Sequence, residues 1–307
     1  MITTSINHIR SVHPLSLFSL YRRSSSALRY ADQHHGPGLE FAHFGRQIGK
    51  RLLLKCTSGG LSYSVTPVSS MRYFEFPFAL GCLSGMPNEC LDVSSPRLFT
   101  YYVAEHGLVG HVDLINPDPS DASLTAKIGR ALNIQNITVK ERPVDSLADC
   151  PEKYDCIWAI SVIEHIAGQY DDSDAIKFMY GALKNHGSLI LTIPVDKTYW
   201  EEFRDGTDPY GTQPVDAQKR YFFQRYYDLS AIQTRLLDPI GLEPIKTKWF
   251  GEKTPGEFQA YIRRWIEEGN DCAVDDPRHI VDNYQEYTTW EEMPGEGVCG
   301  LCIQKRV

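Results

Sequence analysis

Residues 154–166 read Tyr-Asp-Cys-Ile-Trp-Ala-Ile-Ser-Val-Ile-Glu-His-Ile. An aspartate opens a short run that is apolar almost throughout, and Ser161, Glu164 and His165 follow it. A run of this length without polar alternation predicts a strand buried on both faces, as in the middle of a parallel sheet. The flanking sequence repeats the theme. ECLDV (89–93), HVDLIN (111–116), ITVKE (137–141) and GSLILTIPV (187–195) read as further strands. Between them, RLFTYYVAEHG (97–107), DASLTAKIGRALN (121–133) and DDSDAIKFMYGALKNHG (171–187) read as helices, the first and last with a glycine stop. Alternation of this kind predicts a doubly wound, mostly parallel α/β sheet with helices on both faces.

Before this unit, residues 39–55 carry apolar positions at helical spacing, 57–70 look extended after a glycine break, and 71–83 read as a helix rich in aromatics. After Pro194 the alternation stalls. Residues 196–226 form a polar and aromatic insertion, 227–241 a helix, 242–250 a strand, 252–296 a second insertion, and 297–305 a closing strand. The division is therefore an N-terminal basic arm and cover over 1–70 and a main domain over 71–307. Four arginines and no acid precede Asp32. This stretch reads as a basic arm, with an organelle transit peptide as the alternative.

The 307 residues carry a net charge of −8, which argues against general affinity for nucleic acid. The longest apolar runs are about eight residues, short of the roughly 20 that span a bilayer. Eight cysteines are too sparse for a disulfide scaffold and point to a reducing, cytoplasmic setting. Cys299 and Cys302 have CxxC spacing, but on a strand they face opposite ways and are read as core. No His or Asp cluster with metal-ligand spacing falls at a strand end. Asp171, Asp172 and Asp174 are read as a helix start, so no metal is predicted.

In open parallel sheets a ligand sits outside the carboxyl ends of the strands. The residues there are Asp92-Val93-Ser94-Ser95, Asn116-Pro117-Asp118, Asp145-Ser146 and Ile160-Ser161. With LDV after the first helical cover, Glu-His after the fourth strand and GSLILTIP as the fifth, the chain resembles the class I S-adenosylmethionine-dependent methyltransferases over residues 71–250 and the last strand. RYFEFPFAL and YFFQRYYD are similar to segments of methyltransferases from bacterial polysaccharide and glycolipid clusters. The resemblance implies a seven-stranded Rossmann-like sheet whose last two strands form an antiparallel hairpin, and S-adenosylmethionine as cofactor. Its glycine-rich first motif is here Ser94-Ser95-Pro96-Arg97-Leu98, without glycine, so binding would need a different loop shape, with the serines donating hydrogen bonds or Ser95 capping the next helix. The resemblance assigns Asp92 to loop support or the cofactor amine, Asn116 or Asp118 to the ribose, and Asp145 to the adenine amino group. Arg72, Ser94, Ser95, Ser146, Ile160 and Ser161 complete the expected cofactor set.

His165 is the expected general base for a hydroxyl acceptor, with Glu164 orienting it or holding a sugar hydroxyl. Tyr199, Trp200, Arg220, Arg225 and Tyr226, in the aromatic and arginine-rich insertion over 196–226, are expected to bind the acceptor beneath a lid that closes on it. The expected activity is O-methylation of a small-molecule or glycan acceptor: a sugar, glycolipid or secondary metabolite. The alternative is a pseudo-methyltransferase that keeps the sheet as a binding or scaffold protein without catalysis.

Overall fold

The computed structural model describes residues 14–206, 213–268 and 270–306. Tyr210 of the expected lid and the first thirteen residues of the basic arm lie outside them. Four helices precede the sheet: α1 (Pro14–Gln33), α2 (Leu39–Leu54), α3 (Gly60–Val65) and α4 (Arg72–Leu80). Next come β1 (Glu89–Val93), α5 (Leu98–Glu105), β2 (His111–Asn116), α6 (Pro119–Leu132), β3 (Ile137–Glu141), β4 (Tyr154–Ile160), α7 (Asp172–Ala182) and β5 (Leu183–Val195). The hairpin β6 (Trp200–Arg204) and β7 (Tyr221–Tyr226) is followed by the short α8 (Leu229–Ala231) and β8 (Lys246–Glu252). The chain closes with α9 (Glu257–Glu268), α10 (Asn270–Ala273), α11 (Asp276–Asn283), β9 (Tyr284–Tyr287) and β10 (Gly297–Gln304).

The strand order is β3-β2-β1-β4-β5-β10-β8-β9. The strands β1 to β5 are parallel, and β10 runs antiparallel between β5 and β8. This is the expected doubly wound sheet, but with eight strands rather than seven. The second insertion supplies the additional one: β9 pairs antiparallel with β8, from Tyr284 opposite Glu252 to Tyr287 opposite Trp249, and covers an edge that would otherwise lie open. Strand order reverses between β1 and β4, so the crevice there is the place for a ligand.

Apolar side chains from alternate strand positions fill two cores. One joins Leu28, Phe41, Ile48, Phe76, Phe99, Trp158 and Cys302, the other Leu91, Ile157, Ile176, Leu191, Tyr227 and Cys299. Cys299 and Cys302 thus face opposite sides of the sheet, as strand periodicity requires. The first core is continuous from α1 and α2 into the sheet, so the N-terminal helices are part of the packed body. Gly300 lets α4 lie close on β10, since a Cβ there would come within 2.6 Å of the Phe78 ring.

Four local expectations are corrected. Residues 60–65 are helical, not extended: Gly49 and Gly60 let α3 press against α2, where a Cβ on Gly49 would meet the Ser64 nitrogen at 2.6 Å, and packing overrides the local bias. The helix expected to stop at Gly187 ends at Ala182, because Leu183 already pairs with Tyr154 and an irregularity in register carries the chain into β5. The segment after Tyr227 is only a short helix that widens into a π-turn over Ile232–Leu237. Finally, residues 196–226, an insertion to which the sequence reading assigned no strand, contain the β6–β7 hairpin.

Candidate active site

The loop after β1 keeps the shape of a glycine turn without glycine. Ser94 sits at φ 53, in the left-handed region that glycine enters at no steric cost. Its backbone N–H (2.9 Å) and its hydroxyl (3.0 Å) both donate to the Ile115 carbonyl, which holds the turn against β2. Asp92 is fully buried and braces the loop: it accepts from the Ser95 N–H at 2.8 Å and from the Thr100 hydroxyl. Burial pushes its carboxyl above the usual range. Ser95 does not cap α5, which starts without a side-chain cap. Its hydroxyl accepts from the Ile160 N–H at 3.0 Å and ties β1 to β4 across the switch point.

At the end of β2, Asn116 is engaged on both sides of its amide. Nδ2 donates to Asp121 at 2.8 Å, and Oδ1 accepts from the Asp118 N–H at 2.9 Å. Asp118 caps α6, accepting from Ser120 (2.8 Å) and Asp121 (3.2 Å). Asp121 in turn pairs with Arg97. Asp145 and Ser146 lie on the 3-10 helix Val144–Asp149 after β3. The Ser146 hydroxyl donates to the Pro143 carbonyl at 2.7 Å, while the half-buried Asp145 carboxylate has no hydrogen-bond partner among the described residues.

The carboxyl ends of β4 and β5 hold a buried polar cluster. Ser161, at φ 49, is fixed by two bonds from its N–H to Thr192, each 3.0 Å. Its hydroxyl and that of Thr192 (2.9 Å) both donate to Oε1 of Glu75, a fully buried carboxyl from α4. Oε2 of Glu75 faces Arg72 Nε at 3.5 Å. Arg72 Nε, Glu75 Oε2 and Glu164 Oε2 are buried with no hydrogen-bond partner. Glu164 is 1% exposed, and burial, with the neighbouring Glu75 charge as a smaller contribution, pushes it up to about 8. Sequence reasoning missed Glu75; its signal is an acid in the otherwise apolar run RYFEFPFAL.

His165 Nδ1 lies 2.6 Å from the Phe223 carbonyl, which can only accept, so Nδ1 carries the proton. Its Nε2 is 3.9 Å from Glu164. Burial lowers the ring to about 3, so it is neutral at physiological pH and poorly matched to proton abstraction there. Glu164, set near the working range, suits that task better, with His165 as its neighbour and as an anchor for β7.

The five residues expected around the acceptor divide. Arg225 is buried: Nη1 donates to the Ile166 carbonyl at 2.7 Å, and Nε faces Glu201 (3.5 Å) and Asp172 (3.6 Å). Arg220 Nε closes on Asp216 within its own turn at 2.8 Å. Both guanidinium groups thus already have anionic partners. Tyr199 donates to Glu201 at 2.6 Å. Trp200 stacks on Tyr226 with ring centres 4.1 Å apart, and its indole N–H donates to Asp196 at 2.9 Å. Asp171 and Asp174 form the capping box of α7. Among the described residues, no group of three or more His, Cys, Asp or Glu side chains is arranged to hold a metal ion. No described helix is long and apolar enough to cross a membrane.

No protein-family model matches the sequence, and no curated protein matches it. Solved structures do match in shape. Coclaurine N-methyltransferase, bound to N-methylheliamine and S-adenosylhomocysteine, superposes with a TM-score of 0.50 at 11% identity, over 94% of this chain and 94% of that one. The N-methyltransferase NodS of Bradyrhizobium japonicum WM9, with S-adenosylhomocysteine, gives 0.43 at 14% identity over 78% and 92%. The [4+2]-cyclase SpnF gives 0.49 at 15% over 79% and 84%. The full-length match to coclaurine N-methyltransferase and the strand order together show the fold of the class I methyltransferases. Fold alone leaves the chemistry to be argued from the site.

Proposed function

We propose that this chain is an S-adenosylmethionine-dependent methyltransferase acting on a small-molecule acceptor. The observation that carries the reading is the buried set Arg72 Nε, Glu75 Oε2 and Glu164 Oε2, without hydrogen-bond partners, beside the β1–β4 switch point. Buried polar atoms are almost always satisfied, and a ligand is one way to satisfy them. The cofactor's amino-acid end is a zwitterion beside a sulfonium, so it asks for one cation and neighbouring acids, which is what this set offers. Arg72 would hold the carboxylate, while Glu75 would face the amine or the sulfonium. Asp145 would accept from the adenine amino group, and left-handed Ser94 would let backbone approach. The bound cofactor supplies an electrophilic methyl group. The chain's own contribution is to orient the acceptor, exclude water and, at Glu164, receive a proton.

The acceptor of the sequence reading is a hydroxyl on a sugar, glycolipid or secondary metabolite. The proposal keeps a small-molecule acceptor. The second reading, a cofactor-free binding protein on the same sheet, is favoured by Asn116, whose amide is already committed to Asp118 and Asp121. Calorimetric titration with S-adenosylhomocysteine separates the two. The proposal expects saturable heat in the wild type and about tenfold or greater loss of affinity in Arg72→Ala, equivalent to roughly 1.4 kcal/mol. A folded wild-type protein that gives no heat supports the cofactor-free reading.

A further inference from the structure

The flank of β8 carries a cleft of about 470 Å³, a volume typical of small-molecule pockets. Lys246, Lys248 and Phe250 alternate along β8, so their side chains share one face of the sheet. Their register partners on β10 are Cys302, Gly300 and Val298, and Gly300 receives the Phe78 ring of α4. Helix α4 is therefore one wall of the cleft, through Phe74, Pro77 and Phe78. Phe74 stacks on Phe250 with ring centres 4.9 Å apart. The turn between α1 and α2 closes a second side with His34 and His35, and Ile280 of α11 and Tyr284 of β9 close a third. None of Arg72, Glu75 and Glu164 lines this cleft, so it is separate from the candidate cofactor site.

The floor is apolar. Phe74, Phe78, Phe250, Ile280 and Tyr284 are all buried. The rim is basic. Lys246 and Lys248 stand on it with one acidic side chain, Glu286, in a chain whose net charge is −8. The two lysines differ in how they are used. Lys248 is paired with Glu286, the register partner of Phe250 on the same face. Lys246 has no acidic side chain within 4.0 Å among the described residues. Its ammonium donates to the Gly81 carbonyl at 3.2 Å and lies 5.6 Å from the centre of the Phe78 ring. A carbonyl and a ring face hold an ammonium in place without neutralising it. The charge is thus fixed beside the aromatic wall, with donor capacity left over. The His35 ring, also on the rim, makes no side-chain hydrogen bond among the described residues.

We infer that this cleft binds a small amphipathic anion, a carboxylate on an aromatic or apolar body. The body would cover the rings of Phe74, Phe78 and Phe250, which gains by removing apolar surface from water. The carboxylate would take a charge-assisted hydrogen bond from Lys246. One unpaired lysine beside one paired acid suits a monoanion. A dianion such as a phosphomonoester would meet Glu286 with twice the repulsion, and an amine would meet Lys246 with none of its charge answered. The inference goes beyond the methyltransferase reading and uses none of that site's residues.

The test titrates 2-naphthylacetate, 2-(2-naphthyl)ethanol and 2-(2-naphthyl)ethylamine calorimetrically into the full chain at pH 7.5. The three share an aromatic body and differ in charge. The carboxylate should bind about fivefold or more tightly than the alcohol, and the amine more weakly than either. Lys246→Gln should bring the carboxylate to within about twofold of the alcohol and leave the alcohol itself unchanged. Glu286→Gln should have the opposite effect: it frees Lys248 and should tighten the carboxylate about twofold or more. Both substitutions fall on solvent-facing side chains, and circular dichroism checks that each variant is folded. Equal affinity for carboxylate and alcohol, preference for the amine, or carboxylate binding unaltered in Lys246→Gln overturns the inference.

Discussion

At the scale of single residues, the site is shaped by groups whose ionisation burial has displaced. Glu164 binds its proton more tightly folded, at about 8, than at the ordinary value of 4.5. Its contribution to stability is therefore complete below about 4.5 and lost as pH rises through about 8. Asp276 and Glu296, held near 7, act with the same sign. His165 acts oppositely: its folded value of about 3 lies below the ordinary 6.5, so its contribution is complete above 6.5 and lost as pH falls. Without ligand, the Tm should therefore decline between pH 6 and pH 8, and Glu164→Gln should flatten part of that decline. Differential scanning calorimetry across this range is the check, and a Tm that rises with pH contradicts the burial of these acids.

His165 and Glu164 also show how much of the site is legible in the sequence. Both stand where the end of an apolar strand says they should, because strand ends in a parallel sheet are set by the length of the buried run. Their division of labour is not legible. It depends on the Phe223 carbonyl, fifty-eight residues further along the chain, reaching Nδ1. Glu75 was missed for the same reason: an acid in a helix becomes a site residue only once the fold brings Thr192 and Ser161 onto it. Asn116 ends the second strand, where the resemblance leads one to expect a ribose contact, yet its amide bonds to Asp118 and Asp121 only become visible once α6 is in place.

At the scale of elements, the β6–β7 hairpin and α4 carry side chains of the candidate site. The hairpin is latched to the loop after β4 by His165 on Phe223 and Arg225 on Ile166. Phe222, Tyr226 and Tyr227 are buried. The β-strands of this segment should therefore be protected in the ligand-free protein, and His165→Ala should speed amide exchange across Tyr221–Tyr226. Hydrogen exchange read by mass spectrometry tests this, and unchanged exchange in the variant would show that the latch lies elsewhere. Arg225→Ala should destabilise by about 1–3 kcal/mol, because the Ile166 carbonyl loses its buried donor, while Asp172 keeps Arg235 and Tyr227. Gly300 admits the Phe78 ring of α4, the helix that carries Arg72 and Glu75. Gly300→Val should cost about 1–3 kcal/mol by overpacking and weaken S-adenosylhomocysteine more than an equally destabilising change on α6. The pattern of strands and helices was readable from periodicity. The hairpin was not, because its insertion is dense in turn residues and its strands are held by contacts to distant loops.

At the scale of the whole molecule, the sheet, the N-terminal helices and the second insertion converge on the carboxyl edge of the strands. The second insertion gives this fold an eighth strand, and the N-terminal helices share its first core. The central claim is that the β1–β4 edge holds the methyl-donor cofactor beside Arg72, Glu75 and Glu164. A crystal structure of the chain with S-adenosylhomocysteine measures this most directly. The account predicts the homocysteine carboxylate within hydrogen-bond reach of Arg72, the adenine amino group at Asp145, and the sulfur turned toward Glu164. Full occupancy at any other place on the molecule, or clear maps with an empty β1–β4 edge at saturating S-adenosylhomocysteine, would contradict it.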